Sequence, residues 1–124
     1  SDIDMYQHIN HATMVTILEE ARIPFLREPF GEEITTIGLL IAEVKIVYKG
    51  QLRLVDSPLQ VTMWSKRVRA VDFTMGYEVR SVGAPPDSKP AVIAETQLAA
   101  VHIEEQRLQR LSEPQRQYLQ RWTR

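Results

Sequence analysis

Hydrophobic residues change their spacing once along the chain. After Asn10 they recur every three or four positions, which predicts an amphipathic helix. The predicted apolar stripe consists of Met14, Ile17, Leu18, Ala21 and Phe25. Asn10 is a suitable N-cap because its side-chain oxygen can accept a backbone N–H of the first turn. Pro24 is expected to interrupt or kink the helix, and residues 28–31 are predicted to form a loop.

Beyond the helix, apolar and polar residues alternate with a period of two. The alternation covers residues 42–49, 61–64 and 73–80, and a long β-capable run covers 91–103. This pattern predicts an antiparallel sheet with one covered face. Ser112 and Gln115 have the spacing of a capping box, which predicts a short helix near the end of the chain.

One long helix and four strands predict an α+β fold, in which the helix lies centrally and covers one face of the antiparallel sheet. The 124 residues fit a single domain over 1–124. The chain begins directly at a polar motif, so we expect that a first strand precedes this motif and is missing. A sheet with one bare face or edge tends to associate, so an oligomer is expected.

The composition of the chain argues against several classes of function. The net charge of −1 gives no support for binding nucleic acid or a membrane surface. The sequence has no cysteine, which excludes disulfides and a thiol nucleophile and fits a reducing, cytoplasmic location. No apolar run approaches the roughly 20 residues that span a bilayer. The sequence also contains no glycine-rich phosphate loop and no G-x-S-x-G elbow.

Two acids and two imidazoles are concentrated just before the predicted helix, in the stretch DIDMYQHINH at residues 2–11. Such side chains can act as general base, nucleophile or metal ligand. Their spacing matches no strong metal signature, so no metal is expected. For Asp2 a solvated or turn-forming role is favoured, and for His8 hydrogen bonding to backbone alone is the alternative to a role in the site.

The stretch at residues 1–11 and the following Glu19-Glu20-Ala21-Arg22 resemble hotdog-fold thioesterases of the 4-hydroxybenzoyl-CoA thioesterase type. These proteins carry D-x-D-x-x-x-H-[VI]-N and then E-x-A-R or E-E-A-R on a helix. The stretch is also similar to the acyl-ACP thioesterase motif D-x-D-x-N-Q-H-[VI]-N-N. Similarity extends to the long strand at 94–103 and to RLSEP at 110–114, so it covers almost the whole chain.

The resemblance implies an acyl-CoA thioesterase that hydrolyses an acyl-CoA thioester to free acid and CoA without a cofactor. Asp4 matches the family's catalytic carboxylate, either as nucleophile or as general base. The N–H of His11 matches the amide at the start of the helix that polarises the carbonyl, and His8 matches the motif histidine. An amide at a helix start suits this role because it has no intrahelical acceptor and the helix dipole favours negative charge.

Two departures from the acyl-ACP pattern leave other functions open. Tyr6 replaces an asparagine, and His11 replaces the second asparagine of H-[VI]-N-N. The alternatives are an acyl-ACP thioesterase and a hotdog protein that binds acyl thioesters without hydrolysing them. The family also implies a homodimer or homotetramer, with sheets joined edge to edge and the site built between subunits.

Further residues are expected to bind the substrate. Tyr6 and Asn10 belong to the motif, and Asn10 would act by fixing the amide at the helix start. Glu20 is a candidate because another hotdog branch places its carboxylate on the central helix, although a solvated residue is the alternative. Arg67 and Arg69 could bind the phosphates of CoA, although a charged strand end is the commoner meaning. The sequence does not reveal the acyl chain length.

Overall fold

The computed structural model describes residues 11–31, 37–50, 58–85 and 87–124. The motif residues Asp2, Asp4, Tyr6, His8 and Asn10 therefore lie outside the described residues. The elements are α1 (His11–Phe30), β1 (Ile37–Tyr48), β2 (Leu59–Lys66), β3 (Asp72–Ser81), β4 (Val92–His102), β5 (Arg107–Leu108) and α2 (Glu113–Arg121).

The long helix α1 begins at His11, where the sequence predicts its first turn. Its buried residues recur every four positions: Met14, Leu18, Arg22, Leu26 and Phe30. The predicted interruption near Pro24 and the predicted loop at 28–31 are wrong, because the helix continues through Pro24 and Pro29 to Phe30.

A hydrogen bond from α2 compensates for the N–H that Pro29, the second proline of α1, lacks. Pro29 has no N–H to donate to the carbonyl four residues earlier, which belongs to Phe25. The hydroxyl of Tyr118 donates to that carbonyl at 2.8 Å. The rings of Phe25 and Tyr118 also pack, with centroids 5.3 Å apart. The short helix α2 starts at the predicted capping box of Ser112 and Gln115, which places Tyr118 against α1.

The strands form one antiparallel sheet in the order β1-β4-β3-β2, with β5 paired to β4. The register places Ile46, Ala94 and Tyr77 in one row across β1, β4 and β3. This row lies on the inner face, which is the face that α1 covers, and Ala94 and Tyr77 are buried. The predicted α+β hotdog arrangement of an antiparallel sheet around a long helix is confirmed.

The two faces of the sheet differ in character. Phe73, Met75, Val79, Val92 and Leu98 belong to the buried core on the inner face, together with Met14, Leu18, Leu26 and Phe30 of α1. The outer face carries mostly polar side chains: Glu43, Lys45, Thr62, Lys66, Glu78, Arg80, Glu95 and Gln97.

The two edges of the sheet also differ. At the β2 edge, the N–H of Ser65 donates to the carbonyl of Trp122 at 3.1 Å, and the Ser65 hydroxyl donates to the carbonyl of Leu119. The other edge belongs to β1, which has no second strand neighbour among the described residues. This edge strand exposes large apolar side chains: Leu40, Ile41, Val44, Val47 and Tyr48. Neither described helix is long and apolar enough to cross a membrane.

Candidate active site

The start of α1 meets the end of β1. His11 is the first residue of the helix, and its Nδ1 lies 2.8 Å from the hydroxyl oxygen of Tyr48. Tyr48 is the last residue of β1 and pairs with Val92, which places it in an inner-face row of the sheet. The two rings are 5.9 Å apart between centroids and tilted. Both residues are exposed.

The Tyr48 hydroxyl fixes the orientation of the His11 ring. Partial burial raises the pKa of Tyr48 above its ordinary value, so the hydroxyl stays protonated at neutral pH. When the His11 proton is on Nε2, the hydroxyl can donate to Nδ1, which leaves the Nε2–H to donate elsewhere. Tyr48 could not be identified from the sequence as a site residue, because only the pairing of β1 with β4 and the position of α1 bring it to His11.

A shallow groove of about 300 Å³ runs along the first half of α1. It is lined by Ala12, Thr13, Thr16, Ile17 and Glu20. Glu20 is exposed in this groove. The structure therefore places Glu20 on the same half of the helix as His11, as expected for a carboxylate that flanks the apolar stripe.

Arg67 and Arg69 lie in the connection from β2 to β3, and each already forms an ion pair with a carboxylate. Arg67 Nη2 lies 2.7 Å from Glu95 Oε1, and Arg69 Nε lies 2.7 Å from Asp72 Oδ1. Lys66 also binds Glu95, and this hydrogen bond, with the charges of Lys66 and Arg67, holds the Glu95 pKa below its ordinary value. Glu95 lies on the outer face of the sheet, whereas Tyr48, which contacts the start of α1, lies on the inner face. Within one chain, these arginines therefore lie away from the start of α1.

A larger cavity of about 720 Å³ lies between the second half of α1 and the start of β1. Its walls are Glu19, Arg22, Ile23, Leu26, Arg27, Gly31, Leu39, Ile41 and Leu98. Most of the lining is apolar, apart from the charged side chains that α1 contributes. Arg22 belongs to the E-E-A-R element of the sequence, but its position among the buried residues of α1 was not predicted. Among the described residues, no group of three or more histidines and carboxylates could hold a metal.

Comparison with known proteins places the chain in a family. The family model of the thioesterase-like superfamily matches residues 1–120. The chain belongs to this superfamily. A search of curated proteins finds no significant match.

Solved structures with the same fold are similar over nearly the whole chain. The PA5185 protein of Pseudomonas aeruginosa has a TM-score of 0.84 at 16% identity, over 98% of this chain and 84% of that one. YbaW of Escherichia coli, described as a probable thioesterase, has a TM-score of 0.76 at 19% identity, over 99% and 92%. Slr0204 of Synechocystis, a 1,4-dihydroxy-2-naphthoyl-CoA thioesterase, has a TM-score of 0.75 at 16% identity, over 95% and 87%.

Proposed function

We propose that the protein is an acyl-CoA thioesterase, which hydrolyses an acyl-CoA thioester to the free acid and CoA. The observation that carries the proposal is the start of α1 at His11, directly after the D-x-D-x-x-x-H-I-N motif. Membership of the thioesterase-like superfamily supports the reaction class. The start of α1 at the exposed His11, beside Tyr48, is the proposed place where the thioester carbonyl is polarised.

In the proposed reaction, the carbonyl oxygen accepts a hydrogen bond from the N–H of His11. The helix dipole and this amide stabilise the negative charge that develops on the oxygen. Asp4 either takes a proton from water as the water oxygen attacks the carbonyl carbon, or attacks that carbon itself. The second route forms a mixed anhydride, which water then hydrolyses. In both routes the carbon–sulfur bond breaks and the CoA thiolate leaves and takes up a proton.

The remaining motif residues are proposed to support this step. Asn10 caps α1 and so fixes the direction of the His11 N–H. His8 and the His11 imidazole orient the water or the thioester. Tyr6 contacts the bound substrate in place of the asparagine of the acyl-ACP pattern.

Glu20, Arg67 and Arg69 are proposed to bind more distant parts of the substrate. Glu20 lines the groove along the first half of α1. The side chains of Arg67 and Arg69 are each 59% exposed, so they keep donors for the phosphates of CoA. Since these arginines lie away from His11 of their own chain, we propose that they serve a site built from two subunits.

The edge of β1 is the proposed contact between subunits. This strand is 12 residues long and exposes apolar side chains, whereas the opposite edge of the sheet is covered by the end of the chain. An open, apolar edge strand is a template for pairing with another strand. We therefore propose a homodimer joined through β1, and a homotetramer would require a further contact.

Charges on the β1 edge should separate the proposed dimer. The double variant Val44→Lys with Val47→Lys is expected to elute as a monomer, because like charges oppose strand pairing and lysine blocks sheet edges. Size-exclusion chromatography with light scattering measures this. The control is Val82→Lys, which changes another exposed valine beyond the end of β3 and should leave a dimer. A double variant that remains a dimer would contradict the β1 contact.

Removing the Tyr48 hydroxyl should weaken catalysis without harming the fold. Tyr48→Phe is expected to lower kcat/KM for acyl-CoA hydrolysis by about 2- to 10-fold, because one hydrogen bond that orients His11 is lost.

Tyr118→Phe is the matched control for this variant. It removes a hydroxyl that donates to the Phe25 carbonyl, so it should lower the free energy of unfolding by about 0.5 to 1.5 kcal/mol. It should leave kcat/KM for acyl-CoA hydrolysis unchanged. Equal kinetic effects of the two variants would argue against an orienting role for Tyr48.

The proposed reaction is tested by measuring thiol release from short, medium, long and aromatic acyl-CoAs. We expect turnover of at least one of these substrates by the full-length protein. Turnover of acyl-ACP alone would favour an acyl-ACP thioesterase. Tight binding of acyl-CoAs with no turnover of either class would favour a protein that only binds acyl thioesters.

A further inference from the structure

Arg22 is a charged side chain in the apolar row of α1. It is 8% exposed, and Leu18 and Leu26 flank it along the buried face of the helix. Its Nη1 donates to the hydroxyl of Tyr77 at 3.4 Å, and Tyr77 is fully buried. This hydrogen bond is long, since the usual N–H···O separation is about 2.9 Å. Among the described residues, the guanidinium is therefore held by one weak hydrogen bond.

The charge of Arg22 is not matched by an acid in the part of the chain that the structure describes. The ion pairs among those residues involve other cations: Lys66, Arg67, Arg69, Arg80, Arg107 and Arg124. Glu19 lies close by on α1, but it is exposed and does not come within ion-pair distance of Arg22. A buried cation without an anion is unfavourable, and a guanidinium offers five N–H donors. An anion that reaches Arg22 would therefore bind favourably.

The cavity between α1 and the start of β1 gives a ligand access to Arg22, which forms part of its wall. Its volume of about 720 Å³ lies within the range of small-molecule sites. The apolar part of the wall consists of Ile23, Leu26, Leu39, Ile41 and Leu98. The cavity therefore combines one buried cation with a surface that suits a hydrocarbon chain.

The apolar walls lie away from His11 on both sides of the cavity. On α1, the apolar wall residues follow Arg22 toward the end of the helix. On β1, Leu39 and Ile41 lie near the start of the strand, whereas Tyr48, which contacts His11, is its last residue. A ligand that places its charged end at Arg22 therefore extends its apolar part away from His11.

We propose that this cavity binds a free aliphatic carboxylic acid, with the carboxylate on Arg22 and the hydrocarbon chain against the apolar walls. The guanidinium can form two parallel hydrogen bonds with a carboxylate. The charged side chains of the wall, Arg22, Arg27 and Glu19, sum to a single positive charge. This charge matches a carboxylate better than a phosphate dianion. The site is separate from the start of α1, so the inference does not depend on thioester hydrolysis.

Calorimetric titration with octanoate, octanol and octyl phosphate tests the head group, because the three ligands carry similar chains. The wild-type protein should bind octanoate at least about tenfold more tightly than octanol, since hydrogen bonds between charged groups are the stronger ones. Octyl phosphate should bind more weakly than octanoate. Octanol binding as tightly as octanoate, or octyl phosphate binding more tightly, would overturn the proposal.

Variants of the two arginines test which side chain binds the carboxylate. Arg22→Met should weaken octanoate binding by about 10- to 100-fold and change octanol binding by less than about threefold. Arg22→Lys keeps the charge without the planar donors, so its octanoate affinity should fall between those of the wild type and Arg22→Met. Arg27→Met is the matched control, because Arg27 lines the same cavity but is exposed, and it should change octanoate binding by less than about threefold. Equal losses for octanoate and octanol in Arg22→Met would mean that Arg22 only supports packing, which would overturn the proposal.

The length of the acid tests the apolar walls. From butyrate through hexanoate to octanoate, binding should tighten by about two- to fourfold for each added methylene group, because each one leaves water. An affinity that does not depend on chain length would place the chain outside the cavity and overturn the proposal. These titrations require no turnover, so they separate this inference from the proposed reaction. If Arg22→Met does not fold, the wild-type comparison of octanoate with octanol still decides.

Discussion

Replacing Asp4 by asparagine is expected to lower kcat for acyl-CoA hydrolysis by about 10²- to 10⁴-fold. An amide neither takes a proton from water nor attacks a carbonyl carbon as a carboxylate does. The substitution keeps the size of the side chain, so substrate binding and the fold should persist. Thiol release measured at saturating acyl-CoA reports this loss.

Asp2→Asn is the matched control for this prediction, because Asp2 belongs to the same motif but is assigned no catalytic role. Its kcat should stay within about threefold of the wild-type value. Melting temperatures of both variants would show that the fold persists. Undiminished turnover in Asp4→Asn would remove Asp4 from the site, and Glu20→Gln would then be the next variant to measure.

Adding a methyl group at Gly76 is expected to lower the free energy of unfolding by about 1 to 3 kcal/mol. Gly76 lies in β3 directly opposite Trp64 of β2, and the indole covers the glycine on the outer face. A Cβ at Gly76 would overlap Cε2, Nε1 and Cζ2 of that ring. The Arg124 guanidinium lies 4.0 Å from the centroid of this ring, so a displaced ring would also lose this cation–π contact.

Urea unfolding of Gly76→Ala measures this loss, and two comparisons assign its cause. Gly83→Ala should be neutral within about 0.5 kcal/mol, because a Cβ there meets no atom within 4 Å. In a Trp64→Leu background the penalty for Gly76→Ala should largely disappear, since the overlapping ring is gone. An unchanged penalty in that background would contradict the steric explanation.

The sequence predicted the start of each helix, because a helix start depends on residues that are neighbours in the chain. The start of α1 was predicted from the apolar stripe that follows Asn10, and α2 follows from its capping box. The end of α1 was not predictable in this way. Pro29 should break a helix, but the hydroxyl of Tyr118 supplies the missing donor to Phe25 from a residue far along the chain.

The sequence did not predict the first part of β1, because the residues that face α1 switch from odd to even numbers within this strand. A β-bulge between Ile41 and Glu43 shifts the register against β4. Leu39 and Ile41 face α1 before the bulge, whereas Val44 and Ile46 face it afterwards. A strict period of two therefore identifies only the second half of the strand.

The candidate site was predictable as a motif but not as a three-dimensional arrangement. The spacing of the motif predicted that His11 is the first residue of the helix, and among the described residues α1 covers His11–Phe30. Tyr48 comes to His11 only through the pairing of β1 and the direction of α1 across the sheet. Arg22 resembles an ordinary helix-surface arginine in the sequence, and its burial depends on packing against Tyr77.

The first measurement is a structure of the protein bound to a non-hydrolysable acyl-CoA analogue, with a methylene group in place of the sulfur. It tests directly whether the thioester carbonyl binds at the start of α1. We expect the analogue's carbonyl oxygen to lie about 3 Å from the backbone nitrogen of His11, with the Asp4 carboxylate beside the carbonyl carbon. A carbonyl bound away from the start of α1, with no contact to His11 or Asp4, would contradict it.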